Sequence, residues 1–89
     1  SPMRCLLSAL VIAILLSWSD NADNEAGFLV ERARGLTGVF SVIAILPVNT
    51  QSYRDAQIHR RWTYCYRVRA SGTGGYSLYS NTVCLKGSS

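Results

Sequence analysis

Few side chains in this 89-residue chain are of the types that perform acid–base catalysis. His59 is the single histidine, so a relay of two imidazoles cannot form. It lies beside Arg60 and Arg61, a setting more typical of a surface turn than of a catalytic triad. We therefore predict no catalytic residue.

Metal and cofactor sites have equally weak signals. Asp20, Asp23 and Glu25 are spaced closely enough to resemble a calcium loop, but the glycine and the later glutamate of an EF-hand are missing. A turn in which Asp and Asn satisfy the local backbone is favoured, and calcium is the alternative. The glycines of "SGTGGY" join two predicted strands rather than a strand and a helix. We predict no metal and no cofactor.

The residues considered for catalysis and metal binding must be positioned by β-strands, because the sequence shows no good amphipathic helix after residue 20. Apolar residues alternate or cluster in short β-branched and aromatic runs bounded by Gly, Asn, Asp and Ser. The pattern predicts one all-β domain over residues 1–89, built as a two-sheet sandwich. The predicted strands are seven: 5–10, 12–19, 27–33, 39–46, 51–54, 62–71 and 79–86.

Three stretches carry a family resemblance: "LSWSDNADNEAGFLVER", "FSVIAILPVNTQSYRD" and "TYCYRVRASGTGGYSLYSNTV". Together they resemble a fibronectin type III domain of bacterial and archaeal extracellular proteins, over nearly the whole chain. The resemblance implies a seven-stranded immunoglobulin-like sandwich in which Tyr64 is the corner tyrosine, with its hydroxyl bonded to upstream backbone. The chain departs from the family at "IHRRWT", where a Leu-x-Pro-Gly-Thr turn is usual. The implied core residues are Trp18, Phe28, Val30, Tyr64, Tyr66 and Val68.

A disulfide is expected on the outer face of the last two strands. The two-residue period turns Tyr64 and Tyr66 inward and Cys65 outward, and the same period turns Cys84 outward. In an antiparallel pair such residues lie within disulfide range, which predicts a Cys65–Cys84 bridge and an oxidising compartment. Two free thiols are the alternative. Cys5 is left over, as a buried apolar residue of the first strand.

The N-terminal apolar run from Cys5 to Leu16 resembles a secretory leader. At about 12 residues it is too short to cross a bilayer as a helix. We expect it to be retained as core strands, because Trp18 belongs to the sandwich pattern, with a cleaved leader as the alternative.

Charge gives little direction to the choice of partner. The net charge of +4 comes from scattered arginines without a basic run, so no nucleic-acid partner is predicted. Glu31 is expected to pair across strands with Arg67 or Arg69. A membrane is expected only as a point of surface attachment.

Two segments, residues 5–16 and 39–46, are apolar at both odd and even positions. A two-layer sandwich buries only one of these two alternating sets of side chains. This excess predicts an interface with copies of the chain or with neighbouring domains. A kinked register that turns some side chains inward is the alternative. The interface residues expected are Leu7, Val11, Leu15, Val39, Ile43 and Ile45.

The predicted role is a non-catalytic structural and interaction module, extracellular or at the cell surface, packed in an array or filament. The alternative is an accessory or carbohydrate-binding module of a secreted polysaccharide-degrading enzyme. An exposed row of aromatic rings would favour carbohydrate as the partner, and Trp62, Tyr76 and Tyr79 have no other assignment.

Overall fold

Two antiparallel sheets contain all the strands of the computed structural model, which describes residues 4–9, 13–19, 25–59, 61–72, 74–76 and 79–86. The smaller sheet has the strand order β1-β2-β5, and the larger has the order β4-β3-β6, with β7 and β8 both paired to β6. The predicted two-sheet sandwich is confirmed. The strands are β1 (Cys5–Ala9), β2 (Ile14–Trp18), β3 (Glu25–Arg34), β4 (Ser41–Pro47), β5 (Ser52–Asp55), β6 (Thr63–Gly72), β7 (Gly75–Tyr76) and β8 (Val83–Lys86).

The core lies between the sheets and is built by strict alternation on β2, β3 and β6. Because side chains alternate across a strand, every second residue of these strands faces the opposite sheet. The rings of Trp18 and Phe28 meet at 5.7 Å and join the two layers. All six core residues expected from the sequence are buried, and they are joined by Ile14, Leu16 and Ala70.

The predicted last strand, 79–86, begins later than expected, since β8 starts at Val83. The short strand β7 precedes the predicted range, and both β7 and β8 pair with β6. Between them, the Ser80 N–H donates to the Val68 carbonyl at 2.7 Å, and the Ser80 hydroxyl accepts from the Val68 N–H at 2.9 Å. A serine hydroxyl thus replaces one backbone acceptor of the ladder, and residues 79–82 do not form a regular strand.

A β-bulge in β4 corrects one sequence expectation. Val30 pairs with Ala44, but the next residue, Glu31, pairs with Val42, so Ile43 is an extra residue on β4. The prediction that Ile43 shares an outward face with Ile45 is wrong, because Ile43 packs against the core. One extra residue reverses the alternation on either side of it.

The β1–β2 hairpin contains two of the expected interface residues. Leu7 pairs with Leu16 in this hairpin, but its side chain is not among those that the structure describes. Leu15 does lie outward and is 38% exposed. Val11 lies outside the described residues.

A buried ionic contact ties the sheets together at β5. The Asp55 carboxylate accepts from the Tyr66 hydroxyl at 2.6 Å, from Arg32 Nη1 at 2.8 Å and from the Gln57 N–H at 3.1 Å. Burial raises the pKa of Tyr66, and the hydrogen bond to the Asp55 anion raises it further. Burial lowers the pKa of Arg32, but its hydrogen bond and charge interaction with Asp55 outweigh that effect and raise it.

Candidate functional site

The predicted disulfide is present between the two strands that end the sandwich. Cys65 of β6 pairs directly with Cys84 of β8, and their Cα atoms are 4.0 Å apart. The sulfurs are bonded at 2.02 Å. The bridge lies on the outer side of the larger sheet, as the alternation of β6 requires, because Tyr64 and Tyr66 on either side of Cys65 point into the core.

The outer face of the larger sheet also carries the expected charge pair. Arg67 Nε donates to Glu31 Oε1 at 2.8 Å, while Arg69 Nε lies 3.9 Å from Glu31 Oε2. The Tyr79 hydroxyl donates to the same Oε2 at 2.9 Å. Glu31 is only 5% exposed, so this carboxylate is enclosed although it lies on an outer face.

Aromatic rings cover these arginines. The Arg67 guanidinium lies 4.1 Å from the Phe40 ring centroid and 3.8 Å from that of Tyr79. Arg69 lies 4.0 Å from the ring centroid of Tyr76. Such cation–π contacts stabilise the face from within. Tyr76 and Tyr79 are therefore engaged with arginines and do not form a bare aromatic row.

A cationic groove lies at the end of the sandwich where β3 ends and β6 begins. The turn before β6 is held by three hydrogen bonds from backbone N–H groups: Trp62 to the His59 carbonyl at 3.0 Å, Arg61 to His59 Nδ1 at 3.3 Å, and His59 to the Tyr64 hydroxyl at 2.6 Å. On the other side, Gly35 has a φ of 84° and donates its N–H to the Thr63 carbonyl at 2.8 Å. The groove floor is thus backbone with fixed geometry.

The groove has a volume of about 490 Å³ and combines positive charge with apolar surface. The Arg34 guanidinium lies 3.9 Å from the Trp62 ring centroid, and the His59 ring stacks on the same indole at 4.7 Å. Trp62 is 42% exposed, so it is not part of the core. The groove, which we call the Trp62 groove, is lined by Arg34, Gly35, Leu36, Arg61, Trp62 and Thr63.

Sequence reasoning missed the Trp62 groove because its two sides, residues 34–36 and 61–63, are 27 positions apart in the sequence. The available signal was the departure at "IHRRWT", where arginines and a tryptophan replace the small residues of the family turn. Pairing of Arg34 with Tyr64 brings "RARGLTG" next to that turn. Only the strand register makes this visible.

Exposed apolar side chains lie in two patches. The β4 edge patch contains Val39, Val42 and Ile45, of which Val39 is 90% and Ile45 77% exposed. The β1–β2 patch contains Leu6 and Leu15 on the outer side of the smaller sheet. Of the six interface residues expected, Leu15, Val39 and Ile45 are thus exposed.

The side chains considered for chemistry are not gathered into one site. Within the described ranges, no three His, Cys, Asp or Glu residues lie close enough to hold a metal ion. Asp20 and Asp23 lie outside those ranges, and Glu25 is described in its backbone only. His59 is an exposed turn residue whose ring contacts Trp62. No helix in the described part of the chain is long and apolar enough to cross a membrane.

Solved structures share this architecture. The Fn3-like protein from Clostridium thermocellum has a TM-score of 0.76 and 22% identity, over 98% of this chain and 88% of that chain. This chain has the fibronectin type III fold. The corner hydrogen bond of the fold is present, since the Tyr64 hydroxyl accepts from the His59 N–H.

Other chains contain the same fold as one part of a larger protein. Pectate lyase PelI from Erwinia chrysanthemi, solved in complex with tetragalacturonic acid, has a TM-score of 0.88 and 23% identity over 96% of this chain. The twitchin kinase region from C. elegans has a TM-score of 0.83 and 18% identity over 98%. This chain spans 28% of the first chain and 16% of the second. No family model and no curated protein sequence matches it.

Proposed function

We propose that this fibronectin type III domain is a non-catalytic structural and interaction module that packs against copies of itself or neighbouring domains through the β4 edge patch. One observation carries the proposal. Among the described residues β4 pairs only with β3, so one edge of β4 is open. The outward Val42 and Ile45, with Val39 just before the strand, are exposed beside that edge.

An open edge and apolar side chains favour the same event. Unpaired N–H and C=O groups of an edge strand can add a strand from another chain. The apolar side chains beside the edge then gain about 25 cal/mol for each Å² removed from water. Natural edge strands are usually protected by charges, by proline or by a bulge; β4 has no charged residue, its bulge lies at Ile43, and its proline is only the last residue.

The β1–β2 patch determines what kind of assembly forms. Contact between two β4 edges is self-complementary and closes a dimer. Contact between the β4 edge patch of one copy and the β1–β2 patch of the next is heterologous, and it extends into an array or filament when the rotation between copies does not close a ring. The two patches lie on different sheets, so one copy can engage two neighbours.

The absence of catalysis and the extracellular location are parts of the same proposal. A lone exposed histidine supports a binding role rather than a chemical one. The disulfide supports an oxidising compartment, as in secreted and cell-surface proteins.

A second candidate function comes from the likeness to the pectate lyase chain. That chain carries the same fold as 28% of its length within a protein named for polysaccharide cleavage. An accessory module of a secreted polysaccharide-degrading enzyme is therefore the alternative, with a neighbouring catalytic domain as the partner of the β4 edge patch.

Light scattering across a range of protein concentrations tests the association. The parent protein is expected to increase in mean mass with concentration, and Ile45→Lys is expected to lower that mass while the circular dichroism spectrum is unchanged. Leu15→Lys distinguishes the two assemblies, because it should shorten an open array but leave a β4–β4 dimer intact. Thr82→Lys adds the same charge at an exposed position away from both patches.

A parent protein that remains monomeric at every concentration would contradict self-association. Association with an unchanged mass in Ile45→Lys would instead remove β4 from the proposal. Folding of all three variants is checked by the same circular dichroism spectra, so loss of structure is not mistaken for loss of assembly.

A further inference from the structure

Arg34 is held in a position suited to a carboxylate ligand. Its guanidinium lies over the Trp62 ring at 3.9 Å. A guanidinium carries five N–H donors, and within the described residues no carboxylate forms an ion pair with Arg34. A guanidinium that is already fixed loses less conformational entropy when it binds a ligand.

The charge of the Trp62 groove is not neutralised by the carboxylates that the structure describes. Glu31 is engaged by Arg67, and Asp55 by Arg32. Within the described ranges, neither Arg34 nor Arg61 forms an ion pair, and no acidic residue lines the groove. The groove therefore favours an anionic ligand, since both Arg34 and Arg61 line it.

The backbone of the groove offers little to an extended peptide. The N–H groups of Gly35, Arg61 and Trp62 are already used in the hydrogen bonds that shape the floor. A peptide that binds by strand addition needs a free row of such groups. Recognition of a ligand here therefore depends mainly on side chains, through the charge of Arg34 and Arg61 and the apolar surface of Leu36.

Ring-shaped ligands with an apolar face meet both requirements. Leu36 is 78% exposed at the rim, whereas the Trp62 ring is already contacted by the Arg34 guanidinium and by the His59 ring. The apolar C–H face of a sugar ring gains free energy by covering the exposed Leu36 side chain. The volume of about 490 Å³ lies within the roughly 300–1,000 Å³ range of ligand sites.

We propose that the Trp62 groove binds an acidic saccharide, with Arg34 and Arg61 binding the carboxylates of its uronic acid units and Leu36 contacting the apolar face of a sugar ring. The site uses none of the residues of the β4 edge patch, so it does not depend on the proposed association. Charge and ring contact, rather than individual hydroxyl groups, provide the recognition.

NMR titration with tetramannuronate tests this site, and mannotetraose is the matched neutral ligand because it lacks only the carboxylates. The two indole N–H signals separate the site from the core, since Trp18 is buried and Trp62 is exposed. We expect saturable shifts of the Trp62 signal with tetramannuronate, little change at Trp18, and at least about tenfold weaker binding of mannotetraose. Raising the salt concentration should weaken the binding of the acidic ligand.

Arginine variants test which guanidinium groups bind the carboxylates of the ligand. Arg34→Gln and Arg61→Gln should each weaken tetramannuronate binding by about fivefold or more. Arg54→Gln removes an equal charge from exposed strand β5 and should leave the affinity unchanged. Arg34→Lys keeps the charge but loses the planar fork, so an intermediate affinity is expected.

Three results would overturn the proposal. Equal binding of mannotetraose and tetramannuronate would show that the carboxylates do not contribute to recognition. Equal binding of a tetraglutamate peptide at the Trp62 signal would show an unselective anion site. An equal loss in Arg54→Gln and Arg61→Gln would show that net charge, rather than this groove, attracts the ligand.

Discussion

A single hydroxyl anchors the turn on which the Trp62 groove is built. Tyr64 points its ring into the core and accepts the His59 N–H at 2.6 Å. His59 in turn holds the N–H groups of Arg61 and Trp62 through its ring nitrogen and its carbonyl. Tyr64 therefore connects the packing of the core to the shape of the groove.

Tyr64→Phe should lower the free energy of unfolding by about 1–2 kcal/mol, because it leaves the His59 N–H without its acceptor. Urea denaturation measures this change. The control is Tyr76→Phe on a largely exposed ring, which should stay within about 0.5 kcal/mol of the parent. Equal stability of Tyr64→Phe and the parent would show that the corner bond has no energetic role.

The raised pKa of Tyr66 predicts that the folded protein loses stability in alkali. Its pKa is raised in the folded protein, so below the ordinary tyrosine pKa of about 10 its contribution is fully present. Above about pH 10 the unfolded chain releases this proton while the folded chain retains it, and stability falls as the pH rises. The free energy of unfolding, measured in urea between about pH 8 and 11.5, should decline less steeply with pH in Tyr66→Phe than in the parent. The slopes should differ by up to about 1.4 kcal/mol per pH unit. Parallel profiles would exclude this proton as the cause.

At the level of strands, alternation predicted the inward face of β6 and with it the disulfide, while the family resemblance supplied the core residues of β2 and β3. Prediction failed where the phase changes: at the bulge at Ile43, and at Ser80, where a side chain replaces a backbone rung. A run that is apolar on both sets, such as residues 39–46, contains no signal for where an extra residue is inserted.

The bulge in β4 makes Ile43 and Ile45 differ in burial, since Ile43 is half-buried and Ile45 is exposed. Ile43→Ala should lower the free energy of unfolding by about 1–2 kcal/mol, less than for a fully buried isoleucine because Ile43 is half-buried. Ile45→Ala should change it by no more than about 0.5 kcal/mol at concentrations where the protein is monomeric. Chemical denaturation of the Ile43→Ala and Ile45→Ala variants compares their free energies of unfolding. Equal decreases in the two variants would indicate that side chains alternate along β4 without a bulge.

For the molecule as a whole, the contact of Asp55 with Arg32 and Tyr66 is the polar link between the two layers. Asp55→Ala should cost about 3–5 kcal/mol, since it leaves a part-buried guanidinium and a buried hydroxyl without their acceptor. Gln57→Ala is the control, because Gln57 joins this network only through its backbone. Thermal unfolding followed by circular dichroism compares the two. A small loss in Asp55→Ala would mean that apolar packing alone joins the layers.

The position of the disulfide also determines how the domain responds to a pulling force. The bridge connects β8 to β6, which pairs with β3 at the centre of the larger sheet. Tension applied beyond Lys86 passes through the covalent bond into β6, so β8 cannot be peeled away ahead of it. Tension applied before Cys5 acts on β1, a strand of the smaller sheet that pairs only with β2 in the described part of the chain. The domain is therefore a one-sided mechanical element, which resists load from its C-terminal side and yields first at β1.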